Sequence, residues 1–489
     1  MQLTQLIKNL PYKAITGSPS CDISEICFDS RKVTAGCLFV ALPGTKTDGH
    51  RFIRQAAQQG AAAVVFQEGL ATAGEYLGGN PANPVFIEVE DSHRALGCLA
   101  GNFYGHPSSR LQLVGITGTN GKTTTVTLLF RLFRALGYSC GLLSTIANYI
   151  DDNELETTHT TPDALTINRL LSQMCDSGCT YCFMEVSSHA IAQGRIGSLN
   201  FAGGIFSNLT HDHLDYHKTF AEYLRAKKKF FDDLSSDAFA LVNSDDKNGP
   251  VMLQNTNARK VTYACKRMAD YNARILEHSV DGMLLLIDGA EMWSPFIGAH
   301  NAYNLLAVYS CARLLGADRE ECLKALSSLG TVRGRMEYVR GGNDLTAVVD
   351  YSHTPDALEN ALKTLREILN PGQELLCVVG CGGNRDRTKR PEMARIADQY
   401  AHLCVFTSDN PRFEDPDEII REMMSGLTPE QQKKHLCITN RAEAIKTAIK
   451  LARPGSVILV AGKGHETYQD VKGVKSHFDD KEIITELLK

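Results

Sequence analysis

Leu111-Gln-Leu-Val-Gly-Ile-Thr-Gly-Thr-Asn-Gly-Lys-Thr-Thr-Thr125 decides how the chain is read. An apolar run ends in a glycine-rich turn, and Lys122 and Thr123 then open an amphipathic segment from Val126 to Leu136. A strand, a glycine loop and a helix in that order form a phosphate-binding loop: N–H groups at a helix start face phosphate oxygens. Gly118, Thr119, Asn120 and Gly121 supply those amides, followed by Thr124 at the helix start. Lys122 can reach the outer phosphates and Thr123 can ligand Mg²⁺. The generic G-x-x-x-x-G-K-[ST] spacing is not met literally, since Gly115 stands one residue early.

Outward from this loop the chain reads as α/β throughout. At 489 residues it is too long for one core, which predicts about three domains. We place them at 1–105, 106–331 and 332–489, the central one a mostly parallel P-loop sheet and the last Rossmann-like. In the first, Ile23–Arg31 alternates like a strand, and further strands are expected at Gly36–Leu42, Ala61–Phe66 and Val85–Val89, with helices over His50–Gln59 and from Ser92. Asp29-Ser30-Arg31 and the loop 44–50 could hold a polar or phosphorylated ligand, or be solvated turns. In the third, strands at 345–350, 374–380, 402–407, 435–438 and 456–461 alternate with helices near 355–369, 391–400, 416–425 and 440–452.

Ligands of such sheets sit at the carboxyl ends of strands, and polar clusters fall there. Glu185-Val-Ser-Ser-His189 follows one apolar strand and Asn208–His217 the next. Glu185 stands where a carboxylate is costly without a cation. Thr123, Glu185 and His213 form a donor set suited to Mg²⁺. The helix expected over Phe220–Leu234 carries Lys227, Lys228 and Lys229, at least one of them solvated. Asn301 and Asn304, three apart, share a helix face where amides could hold an adenine edge, Asn301 alternatively capping that helix. In the third domain Asp350-Tyr-Ser-His353, Gly382–Asp386, Ser408–Arg412 and Gly462–Glu466 end successive strands. Mixed acid, amide and Arg groups suit a zwitterion.

A net charge of −5 gives no global attraction to nucleic acid or anionic membranes. No apolar run is of membrane-spanning length, and no signal-peptide core precedes Tyr12. The fifteen Cys are scattered, and Cys175, Cys179 and Cys182 have no second pair to complete a zinc site. A cytoplasmic protein with small-molecule partners, with no nucleic acid or membrane partner, is expected, and a monomer.

Thr117–Thr124, Glu185–His189, His213-Leu-Asp-Tyr-His217, His300-Asn-Ala-Tyr-Asn304, Gly334-Arg335 and Asp350–His353, in this order over the whole chain, resemble the Mur ligases, ATP-dependent amide-forming enzymes of peptidoglycan precursor synthesis. Ser408-Asp-Asn-Pro-Arg412 is similar to the motif of members that add meso-diaminopimelate to UDP-N-acetylmuramoyl-L-alanyl-D-glutamate. The resemblance implies that Gly118–Thr124 with Asn301, Asn304, Arg335 and Asp350 hold ATP. It implies Thr123, Glu185 and His213 at Mg²⁺, and a carbamylated lysine that falls on Lys227. Asp29, Ser30, Arg31, Thr160, Thr161, Ser187, Gln193 and Arg195 would hold the UDP-sugar dipeptide. Arg385, Asp409, Asn410, Arg412, Gly462 and Glu466 would hold diaminopimelate. Lys122, Glu185, His213, Lys227 and His353 would be catalytic. Lys218 and Ser352 depart from the family's frequent Gly and Ala. Three rivals compete: a lysine-adding ligase of the same family, a folylpolyglutamate-type ligase, and a nucleotide-gated binding protein without ligase activity.

Overall fold

The computed structural model describes residues 1–44, 47–72, 84–157, 159–210, 214–342 and 344–489, the side chains of 214 and 215 excepted. The chain forms two compact units, Met1–Thr262 and Tyr263–Lys489. Both are α/β with mostly parallel sheets, as the alternation of strand and helix patterns requires.

The first unit begins with a five-stranded sheet of Tyr12–Thr16, Val85–Val89, Ala63–Gln67, Leu38–Val40 and Ile26–Cys27, in that spatial order. Only Tyr12–Thr16 runs antiparallel to its neighbour. The strand expected over Ile23–Arg31 is corrected to Ile26–Cys27. Asp29 ends it, because its carboxylate caps the short 3₁₀ turn Ser30–Lys32 by accepting the Arg31 N–H. The second sheet of this unit has Gln112–Thr117 at its centre, flanked by Tyr181–Glu185 and Gly203–Phe206. Cys140–Leu143 and Phe239–Asn243 extend it in parallel on either side. The strands are buried nearly end to end, which explains their continuous Val, Ile, Leu and Phe runs. The helix Lys122–Ala135 packs against the strands Tyr181–Glu185 and Cys140–Leu143.

The second unit carries an antiparallel meander, Tyr271–Ser279, Gly282–Ile287 and Ala290–Ser294, that the sequence pattern had not revealed. A six-stranded sheet follows, in the order Glu337–Arg340, Thr346–Asp350, Val457–Ala461, Leu375–Val379, Leu403–Phe406, Leu436–Cys437. All but the first strand are parallel. These strands and the helices Pro355–Ile368, Lys389–Tyr400, Pro416–Met424 and Arg441–Leu451 fall within a few residues of the expected spans. A small hairpin, Tyr468–Val471 with Val474–His477, was not expected. Arg441 and Asp480, both fully buried, form a two-bond ion pair (2.8 and 2.7 Å) that ties the helix Arg441–Leu451 to the C-terminal helix Asp480–Leu487. All fifteen cysteines are free thiols, and among the described residues no helix is long and apolar enough to cross a membrane.

Candidate active site

The strand Gln112–Thr117 delivers its last residue, fully buried Thr117, into the glycine turn. Gly118 has φ +153°, and a Cβ there would lie 1.9 Å from Ser207 Oγ, so only glycine lets the neighbouring loop approach. That loop braces the turn. Ser207 Oγ donates to Asn120 O (2.6 Å), Asn120 N–H donates to Asn208 Oδ1 (2.9 Å), and Thr119 N–H donates to Asn208 O (2.9 Å). Gly121, at φ +87°, turns the chain into the helix, whose first N–H groups have no intrahelical acceptor. Lys122 folds back over the turn, its Nζ donating to Gly118 O (2.9 Å) and Thr119 O (2.7 Å). Thr123 and Thr124 are buried at the helix start. The result is a braced concave nest with a lysine above it, the geometry that cradles polyphosphate.

Glu185 sits beside this loop because Tyr181–Glu185 pairs in parallel with Gln112–Ile116, placing Glu185 opposite Ile116. Its carboxylate is 1% exposed. Oε1 accepts the Thr145 N–H at 2.7 Å, while the buried Oε2 has no hydrogen-bond partner among the described residues. A buried carboxylate oxygen without a donor is costly, and a cation is the partner that relieves it. The orphaned oxygen therefore fits a hard cation such as Mg²⁺, for which the buried Thr123 hydroxyl could be a neutral co-ligand. His213 lies outside the described residues. Lys227 is buried, unlike its neighbours Lys228 and Lys229, which reach Asp232 and Asp233. Lys227 Nζ lies over the Tyr223 ring and donates to two neutral oxygens, Gly118 O (2.9 Å) and Thr117 Oγ1 (3.4 Å). The lysine run thus has one buried member at the phosphate loop and a solvated remainder.

A second cluster in the same unit grows from the Glu185 strand end. Thr161 Oγ1 donates to Glu185 O (2.8 Å) and accepts the Ser187 N–H (3.0 Å). Ser187 caps the helix Ser188–Ala192. Arg195 donates to Thr161 O (2.7 Å) and holds Gln193 Oε1 through Nε and Nη2. Burial pulls the Arg195 pKa down, against the pull of nearby Asp163. Thr160 accepts from Thr145 Oγ1 (3.1 Å). Gln193 and Arg195 line a cavity of about 230 Å³ together with Phe28, His93, His159 and Asp163. Those four were missed in the sequence; Asp163, helix cap in Thr-Thr-Pro-Asp, carried the one readable signal. Asp29, Ser30 and Arg31 follow Phe28 but do not line the cavity. Arg31 instead chelates Asp29 (2.9 and 2.7 Å), and this pairing holds the Asp29 carboxyl down to about 2.

In the second unit Asn301 is not the helix cap, a place taken by Gly298 at φ +91°. Asn301 Nδ2 donates to Ile297 O (2.8 Å) and Oδ1 accepts from Asn304 Nδ2 (2.9 Å), both amides buried. Asp350, ending its strand, accepts the Met336 N–H (2.8 Å) and the Ser352 hydroxyl. That brings Arg335 next to it, with the guanidinium 5.0 Å above the Tyr351 ring. His353 Nδ1 faces the Tyr351 carbonyl at 2.8 Å. A carbonyl only accepts, so the neutral ring carries its proton on Nδ1 and leaves Nε2 as an acceptor, while burial holds the ring's pKa below its ordinary value.

The third cluster forms at the ends of Leu375–Val379, Leu403–Phe406 and Val457–Ala461. Arg412 and Arg385 meet over Gly382, where a Cβ would lie 2.9 Å from Arg412 Nη1 and 3.7 Å from Arg385 Cγ. Arg412 stands at φ +52°, held by its N–H to Asp470 O (2.9 Å) and by Nη1 to Gly383 O (2.8 Å). Asp409 and Asn410 are buried, and Asn410 Nδ2 donates to Glu466 Oε2 (2.7 Å). Gly462, at φ +115°, lets Asp409 Oδ2 approach to 2.5 Å of where a Cβ would stand. The Arg412 guanidinium and the Asp409 and Glu466 carboxylates thus gather at the ends of adjacent strands, a mixture of charges able to bind a ligand with both carboxylate and ammonium ends. Lys463, overlooked in the sequence, lies beneath them. His465 packs at a tilt against Tyr351, ring centroids 4.8 Å apart, and burial beside Arg335 and Arg333 pulls its pKa down to about 3, so it is neutral.

Known proteins share the sequence pattern and the fold. The Mur ligase middle domain matches residues 116–312, the Mur ligase glutamate ligase domain 334–464, and the Mur ligase family catalytic domain 22–104. The UDP-N-acetylmuramoyl-L-alanyl-D-glutamate–2,6-diaminopimelate ligase of Cytophaga hutchinsonii is 53% identical over 488 residues, covering 100% of this chain and 99% of that protein. Its counterpart in Parabacteroides distasonis is 53% identical over 487 residues, with 100% and 99% covered. A solved structure of a UDP-N-acetylmuramoyl-L-alanyl-D-glutamate–2,6-diaminopimelate ligase superposes with a TM-score of 0.70 at 31% identity, covering 100% of this chain and 98% of that one. With full-length relatives at this identity and three family models matched along its length, the chain belongs to the Mur ligase family of ATP-dependent amide-bond-forming ligases.

Proposed function

We propose that this chain joins meso-2,6-diaminopimelate to the γ-carboxylate of the D-glutamate in UDP-N-acetylmuramoyl-L-alanyl-D-glutamate, with ATP consumed, in peptidoglycan precursor synthesis. The observation that carries the specificity is Arg412. Its guanidinium, whose Nη1 reaches Gly383 O, would give its remaining donors to the distal carboxylate that diaminopimelate has and lysine lacks. Relatives of the same printed name at 53% identity support the reading.

The chemistry follows from the residues. The amides of 118–121 and Lys122 hold the β- and γ-phosphates, with Thr124 at the helix start, and Asn301, Asn304, Arg335 and Asp350 take the rest of the nucleotide. The glutamate γ-carboxylate attacks the γ-phosphorus, ADP leaves, and an acyl phosphate forms. The amine of diaminopimelate then attacks the acyl carbon, phosphate leaves with the bonding pair, and an amide remains. His353 Nε2 accepts the proton the amine sheds. Mg²⁺, held by Thr123, Glu185 and His213, would offset the charge gathering on the transferred phosphoryl group. Lys227, buried beside the phosphate loop, would be carbamylated, its neutral amine taking up CO₂ and losing a proton, which turns a cation into an anion there. Asp29, Ser30, Arg31, Thr160, Thr161, Ser187, Gln193 and Arg195 hold the UDP-sugar dipeptide. Arg385, Asp409, Asn410, Arg412, Gly462 and Glu466 hold the incoming amino acid. The enzyme acts as a cytoplasmic monomer on these small molecules.

Phosphate release from ATP and Mg²⁺ with the nucleotide dipeptide tests the reading, comparing meso-diaminopimelate, L-lysine and no amine. Release that requires diaminopimelate, with the tripeptide product seen by mass, supports it. Release with lysine alone would discard the role of Arg412, and release indifferent to every amine would discard the ligase.

A further inference from the structure

We infer that Lys463 is the positioning residue of the amino-acid crevice: its ammonium locks Asn410 and Glu466 into the single arrangement that leaves one Glu466 oxygen for the ligand. The inference rests on the proposal that this crevice takes diaminopimelate.

Lys463 is fully buried, yet its Nζ reaches three acceptors: Asn410 Oδ1 (3.2 Å), Glu466 Oε2 (3.1 Å) and Tyr468 O. That satisfies all three donors of an ammonium and repays its desolvation in part with a carboxylate. The consequences run outward from Asn410. Its Oδ1 also receives the Asp470 N–H at 3.0 Å. Both partners can only donate, so the orientation of the amide is forced, and Nδ2 must point to Glu466 Oε2, 2.7 Å away. Glu466 Oε2 is then saturated by two donors, one of them charged. The remaining oxygen, Oε1, has no such tie among the described residues and belongs to a side chain still 17% exposed. It is the acceptor turned over to an incoming ammonium.

The same cation fastens the hairpin. Tyr468 O anchors the start of the strand Tyr468–Val471, whose Gln469 Nε2 donates to Asp409 O (2.7 Å) and whose Asp470 O accepts the Arg412 N–H (2.9 Å). Lys463 thus ties the loop 409–412, the turn 462–466 and the hairpin to one point. Without it the amide of Asn410 is free to flip and Glu466 to swing. The ligand then has to order both, a cost that appears in its binding. Lys463 touches no substrate; it acts through Asn410 and Glu466.

The test is steady-state kinetics of Lys463→Met, Glu466→Gln and the double variant, after the wild type has been assayed with meso-diaminopimelate and L-lysine. Lys463→Met is expected to raise KM for diaminopimelate about tenfold or more, the loss of one charged hydrogen bond, with KM for ATP and for the nucleotide dipeptide within about twofold. The double variant should be no worse than the poorer single one, because one acts through the other. Lys463→Arg, which keeps the charge but cannot reach the same three points, is the second variant. It must show the same selective rise, even if the Met variant fails to fold. An unchanged diaminopimelate KM in either folded variant, an equal rise in all three KM values, or effects that multiply in the double variant overturns the inference while the proposed function stands. A wild type that makes no product with diaminopimelate overturns both.

Discussion

Replacing Glu185 by Gln separates function from stability at one side chain. The carboxylate is 1% exposed, with Oε1 on the Thr145 N–H at 2.7 Å and Oε2 without a donor among the described residues. Gln keeps the Thr145 bond and removes the charge. Leaving a buried charged acceptor unmet costs about 1–3 kcal/mol, so the ion-free variant gains stability, offset by whatever its amide N–H₂ leaves unmet. We set the net at about 0 to +2 kcal/mol, which is up to roughly 4–8 °C at about 2–4 °C per kcal/mol for a unit of this size. Catalysis moves the other way. Outer groups of metal sites are worth about 10–100-fold, so a directly coordinating carboxylate is worth about 100-fold or more. The assay is a pair of thermal scans, with EDTA and with Mg²⁺ plus a non-hydrolysable ATP analogue, beside steady-state phosphate release. Wild type should gain stability from Mg²⁺-nucleotide and the variant should gain little. A variant that melts earlier than wild type in EDTA, or that keeps activity within about threefold, refutes the argument that the orphaned oxygen is a metal ligand.

Three other outcomes follow from the same geometry. Gly118→Ala should abolish ATP binding by calorimetry, since its Cβ would sit 1.9 Å from Ser207 Oγ and the turn must open to admit it. Arg412→Ala should raise the diaminopimelate KM about 10–150-fold, the worth of a charged hydrogen bond of about 1.5–3 kcal/mol, and leave ATP binding unchanged. Glu414 is held down to about 2 from an ordinary 4.5 by Arg390, with the Asn384 N–H also donating to it. A depressed acid stabilises above its unfolded value, so its contribution should be full above about pH 4.5 and vanish as pH falls towards 2. Glu414→Gln should therefore flatten acid unfolding across that window, read by circular dichroism, with little change in its shape above it.

How far the sequence carried the fold depended on what each residue's partner was. In the six-stranded sheet, Leu375–Val379 and Val457–Ala461 are buried on both faces, and their unbroken apolar runs announced them. The strand at 23–31 failed for a local reason: alternation promises a strand, but a side chain–backbone bond at Asp29 outcompetes the ladder. The meander 271–294 and the hairpin 468–477 are antiparallel, with half-exposed faces and mixed residues, and gave no clear period.

The site divides in the same way. Gly118, Lys122 and Glu185 were readable because their chemistry is strange for their position: a glycine turn before a helix, a carboxylate at an apolar strand end. Lys463 was not readable, because its meaning lies in three acceptors brought together from the loop 409–412, the turn 462–466 and the hairpin, none of which marks it in the sequence. Lys227 stands between the two. Residue type does not separate Lys227 from Lys228 and Lys229, and only the family resemblance singled it out by spacing; the helix Phe220–Asp232 adds the physical difference, burying Lys227 while Lys228 and Lys229 reach Asp232 and Asp233. Residues that meet a ligand are therefore legible from their own oddity. Those that position other residues become legible only when the fold has brought their partners into reach, which is why Lys463 and the orphaned oxygen of Glu185 are the places where experiment has most to decide.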